Sequence, residues 1–194
     1  EFVKQFYVSL GWRQQYCGVL RLTGRTDGVQ VYFLDNLQYF GDRDGAIYGA
    51  GDDGERFAFF SKSVLEALPF LGYYPDVLHC HDWQAALAAI YLKTLYADRP
   101  EYQKIRAFFT IHNIEYQGKY SCDILGDLFG LDEKYLPMLE YDGCLNLMKG
   151  AIECSERVST VSPTYAEEIK TARYAHGLDP IIRKNQNKLL GILN

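Results

Sequence analysis

Two short polar strings could do chemistry, because each places a histidine beside a carboxylate or an amide. His81 and Asp82 form the first string, and His112 and Asn113 form the second. A carboxylate accepts hydrogen bonds from hydroxyl groups, while imidazole and amide groups both donate and accept. This set of donors and acceptors suits a neutral ligand that is rich in hydroxyl groups. Asn194 is a further polar residue of the same kind.

Each of these residues follows a short apolar run, and the runs predict the fold that positions them. Four runs alternate with helical patterns, at residues 77–80, 107–111, 158–161 and 189–193. This alternation predicts βαβ units, hence one α/β domain with a mostly parallel sheet and helices on both faces. Ligands of such sheets bind beyond the carboxyl ends of the strands, where both polar strings lie.

Further elements are predicted outside the four runs. A β-hairpin is expected near the start, over residues 16–34, because two β-rich runs flank a connection with an Asp-Gly pair. The residues before it form a polar and aromatic stretch. A helix is expected from Asp53 to about Gly72, since apolar residues recur at three- and four-residue steps. Similar spacing predicts a helix from Asp82 to about Asp98 and a helical pattern over residues 145–154.

The polar residues at the strand ends also have purely structural interpretations. Asp82 fits the N-cap of the following helix, and from spacing alone this role ranks ahead of ligand binding. Trp83 is expected in the core because helical spacing accounts for it. Ser162 is expected only to cap a helix. His112 is harder to explain structurally, because it directly follows a strongly apolar run.

Two strings look like ligand motifs but lack the right context. Residues 49–54 read GAGDDG and match G-x-G-x-x-G, yet they follow a loop and place two aspartates where a pyrophosphate would lie. His79 and His81, with His112, could form the zinc or iron site of a metal-dependent hydrolase. A sheet covered on both faces would bury His79 below the cleft, which argues against that site. His176 has no partner in sequence and is expected to be structural.

Composition excludes several classes of function. The chain has 20 Lys and Arg against 25 Asp and Glu, a net charge of -5, which disfavours a nucleic-acid partner. No apolar run approaches the roughly 20 residues needed to cross a bilayer. Five cysteines at irregular spacings, with no C-x-x-C pair, predict reduced thiols and a cytoplasmic location. A nucleophile elbow and a P-loop are both absent from the sequence.

Five longer strings carry a resemblance to a known family. They read YGAGDDGERF at 48–57, YPDVLHCHDWQ at 74–84, FTIHNIEYQG at 109–118, RVSTVSPTY at 157–165 and LGILN at 190–194. Together they resemble the bacterial glycogen synthase and plant starch synthase family. The H-x-H-D-W and T-I-H-N-I-x-Y-Q-G strings are specific to it, and the resemblance covers essentially the whole chain in the same order.

The resemblance implies a fold and a reaction. Members are retaining glycosyltransferases of the GT-B fold, in which two Rossmann-like domains face each other across a cleft. They transfer glucose from ADP-glucose to the non-reducing end of an α-1,4-glucan. Residues 1–194 would then be a truncated N-terminal, acceptor-side domain without its C-terminal donor domain, and inactive alone. ADP-glucose, the glucan and the missing domain are the implied partners. No cofactor, metal ion, nucleic acid or membrane is implied.

The resemblance also assigns roles to individual residues. His112 and Asp82 are implied as catalytic. Four residues are implied to bind substrate: Asn113, Asn194, Tyr116 and Gln117.

The sequence also departs from the family pattern. Gln84 stands where many members have histidine, and residues 41–43 carry an extra residue. The family's lysine-glycine-glycine loop, which approaches the donor phosphates, is missing. Two alternatives stay open, a non-catalytic glucan-binding domain and the metal-dependent hydrolase.

Overall fold

A computed structural model describes residues 1–41 and 47–193. Ten strands and eight α-helices lie in these ranges, some of them only one turn or two residues long. In chain order they are β1 (Phe2–Leu10), β2 (Arg13–Arg21), β3 (Tyr32–Asp35), α1 (Leu37–Phe40), α2 (Asp53–Leu71), β4 (Val77–His81), α3 (Asp82–Lys93), β5 (Arg106–Ile111), β6 (Lys119–Tyr120), α4 (Ile124–Asp127), α5 (Leu136–Leu139), β7 (Glu140–Tyr141), β8 (Cys144–Asn146), α6 (Leu147–Cys154), β9 (Arg157–Thr160), α7 (Pro163–Glu168), α8 (Asp179–Lys184) and β10 (Leu189–Gly191).

The central sheet confirms the predicted α/β fold. Its four strands are parallel in the order β10, β9, β5, β4, and helices flank them. The register places Thr110 of β5 between His81 of β4 and Ser159 of β9. All four predicted apolar runs are strands of this sheet. Because the strands are parallel, their carboxyl ends lie along one edge.

The core lies between this sheet and α3, which packs against α2, α6 and the two strands β4 and β5. Eight of the twelve residues of α3 are buried. A helix that is apolar on nearly all of its faces is buried among other elements of the fold. Trp83 is buried, as predicted, and its ring lies edge-on to Phe57 of α2.

Helix α3 is shorter than the apolar spacing suggested, because Thr94 ends it. The Thr94 hydroxyl donates to the carbonyl of Ile90 at 2.8 Å, and its backbone leaves helical geometry with φ -121° and ψ -78°. Local hydroxyl bonds of this kind compete with the helix. The predicted extent to Asp98 is therefore wrong by about one turn.

The predicted hairpin is present and is part of a larger sheet. Strands β2 and β3 pair antiparallel, as expected. The polar and aromatic stretch before them is itself a strand, β1, which pairs antiparallel with β2. Val8 and Leu10 are fully buried, whereas Tyr7, directly before Val8, is 69% exposed. This alternation is the signal for a half-buried strand, and the sequence-based interpretation missed it.

Two other predictions hold in part. Helix α2 spans Asp53–Leu71 and ends at Gly72, as expected. The pattern at 145–154 divides into strand β8 and helix α6, where Asn146 accepts the N–H of Lys149 as an N-cap. A small antiparallel sheet of β6, β8 and β7 was not predicted, because its strands are too short to show periodicity.

Gly118 offers a test of packing beneath the loop that follows β5. Its φ is +66°, and a Cβ there would lie 2.8 Å from Cε3 of the buried Trp83. Gly72 has a similar φ of +60° but open space around it. We expect Gly118→Ala to lower the free energy of unfolding by about 2–3 kcal/mol and Gly72→Ala by about 1 kcal/mol. Urea denaturation followed by circular dichroism measures both. Equal losses would show that the contact with Trp83 adds nothing.

Candidate active site at the carboxyl edge of the parallel sheet

The two polar strings meet at one edge of the sheet. β4 and β5 are neighbours, so His81 and Asp82 lie beside His112 and Asn113. Asp82 Oδ1 accepts the backbone N–H of His112 at 2.8 Å and that of Asn113 at 3.4 Å. The Asp82 carboxylate therefore joins the end of one strand to the end of the next.

This contact corrects the N-cap interpretation of Asp82. The N-cap position of α3 is His81, and no side chain caps the helix there. Asp82 is the first helical residue and has φ +54°, in the left-handed region that is uncommon for residues other than glycine. Its carboxylate is turned toward the next strand instead of the helix. A strained residue held by specific bonds at a strand end is typical of functional sites.

The imidazole of His112 is held by His81. His81 Nδ1 lies 3.0 Å from His112 Nε2, and both rings are exposed. The His81 ring also packs against the ring of His79, with centroids 4.1 Å apart. His79 Nε2 in turn contacts the Thr110 hydroxyl at 2.7 Å, and Thr110 contacts Ser159 at 2.8 Å. A continuous polar row thus crosses β4, β5 and β9.

His79 is exposed, which corrects the prediction that it would be buried below the cleft. The prediction assumed a sheet covered on both faces, but the face of β4 that carries Val77, His79 and His81 is open. The rings of His79 and His81 pack against each other, and His79 Nε2 is hydrogen-bonded with Thr110, so the three rings do not converge on one point. Within residues 1–41 and 47–193, no group of three or more His, Cys, Asp or Glu side chains is arranged to hold a metal ion.

The pKa values of two of these histidines are lowered. Partial burial is the main cause for both His79 and His81, and neighbouring histidines add to it. Asp82 acts in the opposite direction on the pKa of His81. Each ring therefore takes up a proton less readily in the folded chain than a histidine with the ordinary pKa of 6.5 does.

This shift predicts a pH dependence of stability. Well above pH 6.5 the two histidines are neutral in both states and contribute nothing to the pH dependence. As the pH falls toward and through that value, the unfolded chain binds protons first, so the folded state loses stability. We expect the free energy of unfolding to fall between about pH 7.5 and about pH 5.5, and His79→Gln to reduce that fall. Urea titrations of the wild type and of His79→Gln across this pH range measure the two losses of stability. An equal loss in the variant would contradict the prediction.

The loop after β5 contains the other predicted substrate-binding residues. Tyr116 is 52% exposed and Asn113 is exposed, so both are open to a ligand. Gln117 is buried, with its amide N–H groups donating to the carbonyls of Ile114 and His176. Its carbonyl accepts from Asn146 at 2.7 Å. Gln117 thus holds the loop from inside, and His176 takes part through its backbone. Asn194 lies outside the described residues.

A second set of residues supports the loop and was not singled out from sequence. The Tyr165 hydroxyl accepts the N–H of Ile114 at 3.0 Å. Ser162 caps α7 by accepting the N–H of Tyr165, as predicted. The only sequence signal for Tyr165 was its place in the RVSTVSPTY string. Thr110 and Ser159 had none, because single hydroxyls in apolar runs are common.

The polar row across β4, β5 and β9 borders a shallow groove of about 140 Å³. Its polar lining comprises His79, His81, Thr110, His112, Ser159 and Thr160. No lysine or arginine lines it in the described part of the chain. A groove with neutral donors and acceptors suits hydroxyl groups better than phosphates.

Other sites are less suited to chemistry. A groove of about 700 Å³ lies between the hairpin sheet and α2 and is lined mainly by apolar side chains. The G-x-G-x-x-G string leads into α2, and Gly49 donates its N–H to the buried Asp53. A backbone N–H of the string is therefore bound by the string's own aspartate. All five cysteines are free. In the part of the chain that the structure describes, no helix is long and apolar enough to cross a membrane.

Comparison with known proteins gives matches over nearly the whole chain. Residues 1–184 match the family model for the starch synthase catalytic domain. Glycogen synthase from Geobacillus thermodenitrificans is 47% identical over 99% of this chain and 39% of its own length. Glycogen synthase from Streptococcus agalactiae is 49% identical over 100% of this chain and 40% of its own length.

The fold leads to the same family. The catalytic domain of starch synthase IV from Arabidopsis thaliana, solved with bound ADP and acarbose, superposes with a TM-score of 0.86 at 36% identity. That match covers 98% of this chain and 39% of the starch synthase chain. The chain thus spans about 40% of the length of the relatives it matches. With its polar strings joined at one sheet edge and its sequence aligned throughout, this chain belongs to the starch synthase catalytic domain family.

Proposed function

We propose that the whole protein containing this chain transfers glucose from ADP-glucose to the non-reducing end of an α-1,4-glucan, with retention at the anomeric carbon. The observation that carries this proposal is the junction of β4 and β5, where Asp82 holds the backbone of His112 beside a groove without lysine or arginine. Membership of the starch synthase family and the ADP and acarbose bound to the Arabidopsis relative support it. No observation favours a metal-dependent hydrolase or a pure glucan-binding domain.

The reaction sets the tasks of these residues. The bond from the sugar C1 to the phosphate oxygen breaks with its electrons leaving on ADP, a bond from C1 to the oxygen of an acceptor hydroxyl forms, and the proton of that hydroxyl passes to the departing ADP. Charge develops on the departing diphosphate and on the sugar, so positioning and electrostatic stabilisation are the main demands on the protein. We assign His112 to hydrogen-bond the transferred glucose. Asp82 fixes the position of His112 and holds a neighbouring hydroxyl.

Four further residues have roles in substrate binding. Asn113 and Tyr116 are exposed beside the groove and are assigned to contact sugar hydroxyls and a sugar face. Gln117 is assigned to shape the loop from inside, because its amide is fully engaged. Asn194, which lies outside the described residues, is proposed to bind substrate because the family resemblance implies that role.

Residues 1–194 are proposed to be the acceptor-side half of a two-domain enzyme. Two observations support this. The groove lining has no cation for a diphosphate in the described residues, and the outer edge and one face of β4 lack a covering element there. Further chain of the same protein would supply both, including a C-terminal donor domain. The five free cysteines support a cytoplasmic location.

The test is an assay of the whole protein with radiolabelled ADP-glucose and maltooligosaccharides. We expect labelled glucose at the non-reducing end, in α linkage, and no transfer by residues 1–194 alone. UDP-glucose serves as the matched donor control. Transfer by the isolated chain would refute the two-domain proposal, and absence of transfer by the whole protein would refute the proposed reaction.

A further inference from the structure

We propose that His81 is a positioning residue for His112, selecting the imidazole tautomer that His112 presents to the substrate. The inference deepens the proposed function and rests on the role assigned there to His112. It starts from one contact, the 3.0 Å distance between His81 Nδ1 and His112 Nε2. In a neutral histidine the hydrogen bond made by one nitrogen sets the protonation of the other. His81 therefore determines whether His112 Nδ1 donates or accepts.

The geometry leaves Nδ1 of His112 available for a ligand. Within residues 1–41 and 47–193, His112 Nε2 has His81 as its partner, and Nδ1 has none. The backbone N–H of the same residue is held by Asp82 at 2.8 Å. Consecutive residues at the end of β4 thus fix both parts of His112, its main chain through Asp82 and its ring through His81.

His81 is itself held in place, which a positioning residue requires. Its ring packs against that of His79, with centroids 4.1 Å apart and the planes tilted by 36°. His79 is anchored by Thr110, whose hydroxyl is buried on the sheet and contacts Ser159. The arrangement begins on β9 and ends at His112, so the orientation of the His112 ring is supported by three strands.

The chain offers a shape-matched pair of variants. In His81→Asn an amide atom occupies the place of Nδ1, and in His81→Leu a methyl group occupies the same place. Both lose the ring and its packing against His79, so a merely structural role would be affected equally. Only the asparagine keeps a group that hydrogen-bonds His112.

The decisive measurement is nitrogen-15 NMR of residues 1–194 at about pH 8, above the ordinary histidine pKa of about 6.5. The nitrogen shifts of His112 report its tautomer. We expect one dominant tautomer of His112 in the wild type and the same dominant tautomer in His81→Asn. In His81→Leu we expect the ratio of the two tautomers to change about fivefold, which is the effect of losing one ordinary hydrogen bond. A ratio that is the same in wild type and His81→Leu would overturn the proposal, as would an equal change in both variants.

A kinetic comparison in the whole protein separates this inference from the proposed function. We expect His81→Leu to lower kcat about fivefold with little change in the acceptor KM. We expect His81→Asn to keep most of the wild-type kcat. If the whole protein transfers no glucose, the function fails while the NMR result still stands. If the whole protein transfers glucose but the tautomer ratio of His112 is the same in His81→Leu as in the wild type, only the positioning role is refuted.

Discussion

Replacing His112 by alanine is expected to lower glucose transfer by the whole protein by about 100- to 1,000-fold. The magnitude is that of removing one preorganised hydrogen-bonding group from a site where charge develops in the transition state. His112 is exposed at the end of β5, so its removal leaves the core intact. The measurement is kcat/KM with ADP-glucose and a maltooligosaccharide acceptor.

The matched control is His176→Asn. His176 is also exposed and has φ +48°, a conformation that asparagine tolerates, and among the described residues its hydrogen bond is made by its backbone carbonyl. We expect this variant to keep nearly full transfer activity. Near-normal activity of His112→Ala would remove His112 from the mechanism, and comparable losses in both variants would point to general destabilisation.

Replacing Asp82 by alanine is expected to reduce both stability and activity. The change removes the acceptor of two backbone N–H groups and places alanine at φ +54°. We expect the free energy of unfolding of residues 1–194 to fall by about 2–3 kcal/mol. Transfer by the whole protein is expected to fall about 100-fold, because the His112 backbone loses its anchor.

Asp82→Asn separates the two causes. Asparagine is tolerated in the left-handed region and keeps one side-chain acceptor, so we expect a loss of only about 1 kcal/mol. Urea denaturation gives the stabilities. An alanine variant as stable as the wild type would show that the bonds from His112 and Asn113 are not significant in solution.

Much of the fold could be predicted because local patterns carried it. The four parallel strands follow from short β-rich runs, and α2 follows from apolar spacing that ends at Gly72. Strand β1 was equally visible as an alternation around Val8 and Leu10 but was missed. The small sheet of β6, β8 and β7 was beyond prediction, since two- and three-residue strands depend on pairing with distant segments.

The candidate site was predicted by residue type more than by role. His112 and Asn113 were expected at a cleft, and they lie at the carboxyl edge of β5. Asp82 was read as a helix cap, because sequence spacing shows only its neighbours along the chain. Its actual partners are thirty and thirty-one residues away, on the adjacent strand. Its left-handed φ was equally invisible, since nothing in the sequence demands it.

The sequence by itself determined the family, the parallel sheet and the polar strings at the strand ends, because short-range periodicity and motif spacing are local properties. Only the tertiary structure decided how those strings combine. The pairing of β4 with β5 brings His81 to His112 and Asp82 to the backbone beyond it. It also left His79 exposed where a covered sheet would have buried it. Contacts between strands depend on register and on what covers each face, and both are set by the whole chain.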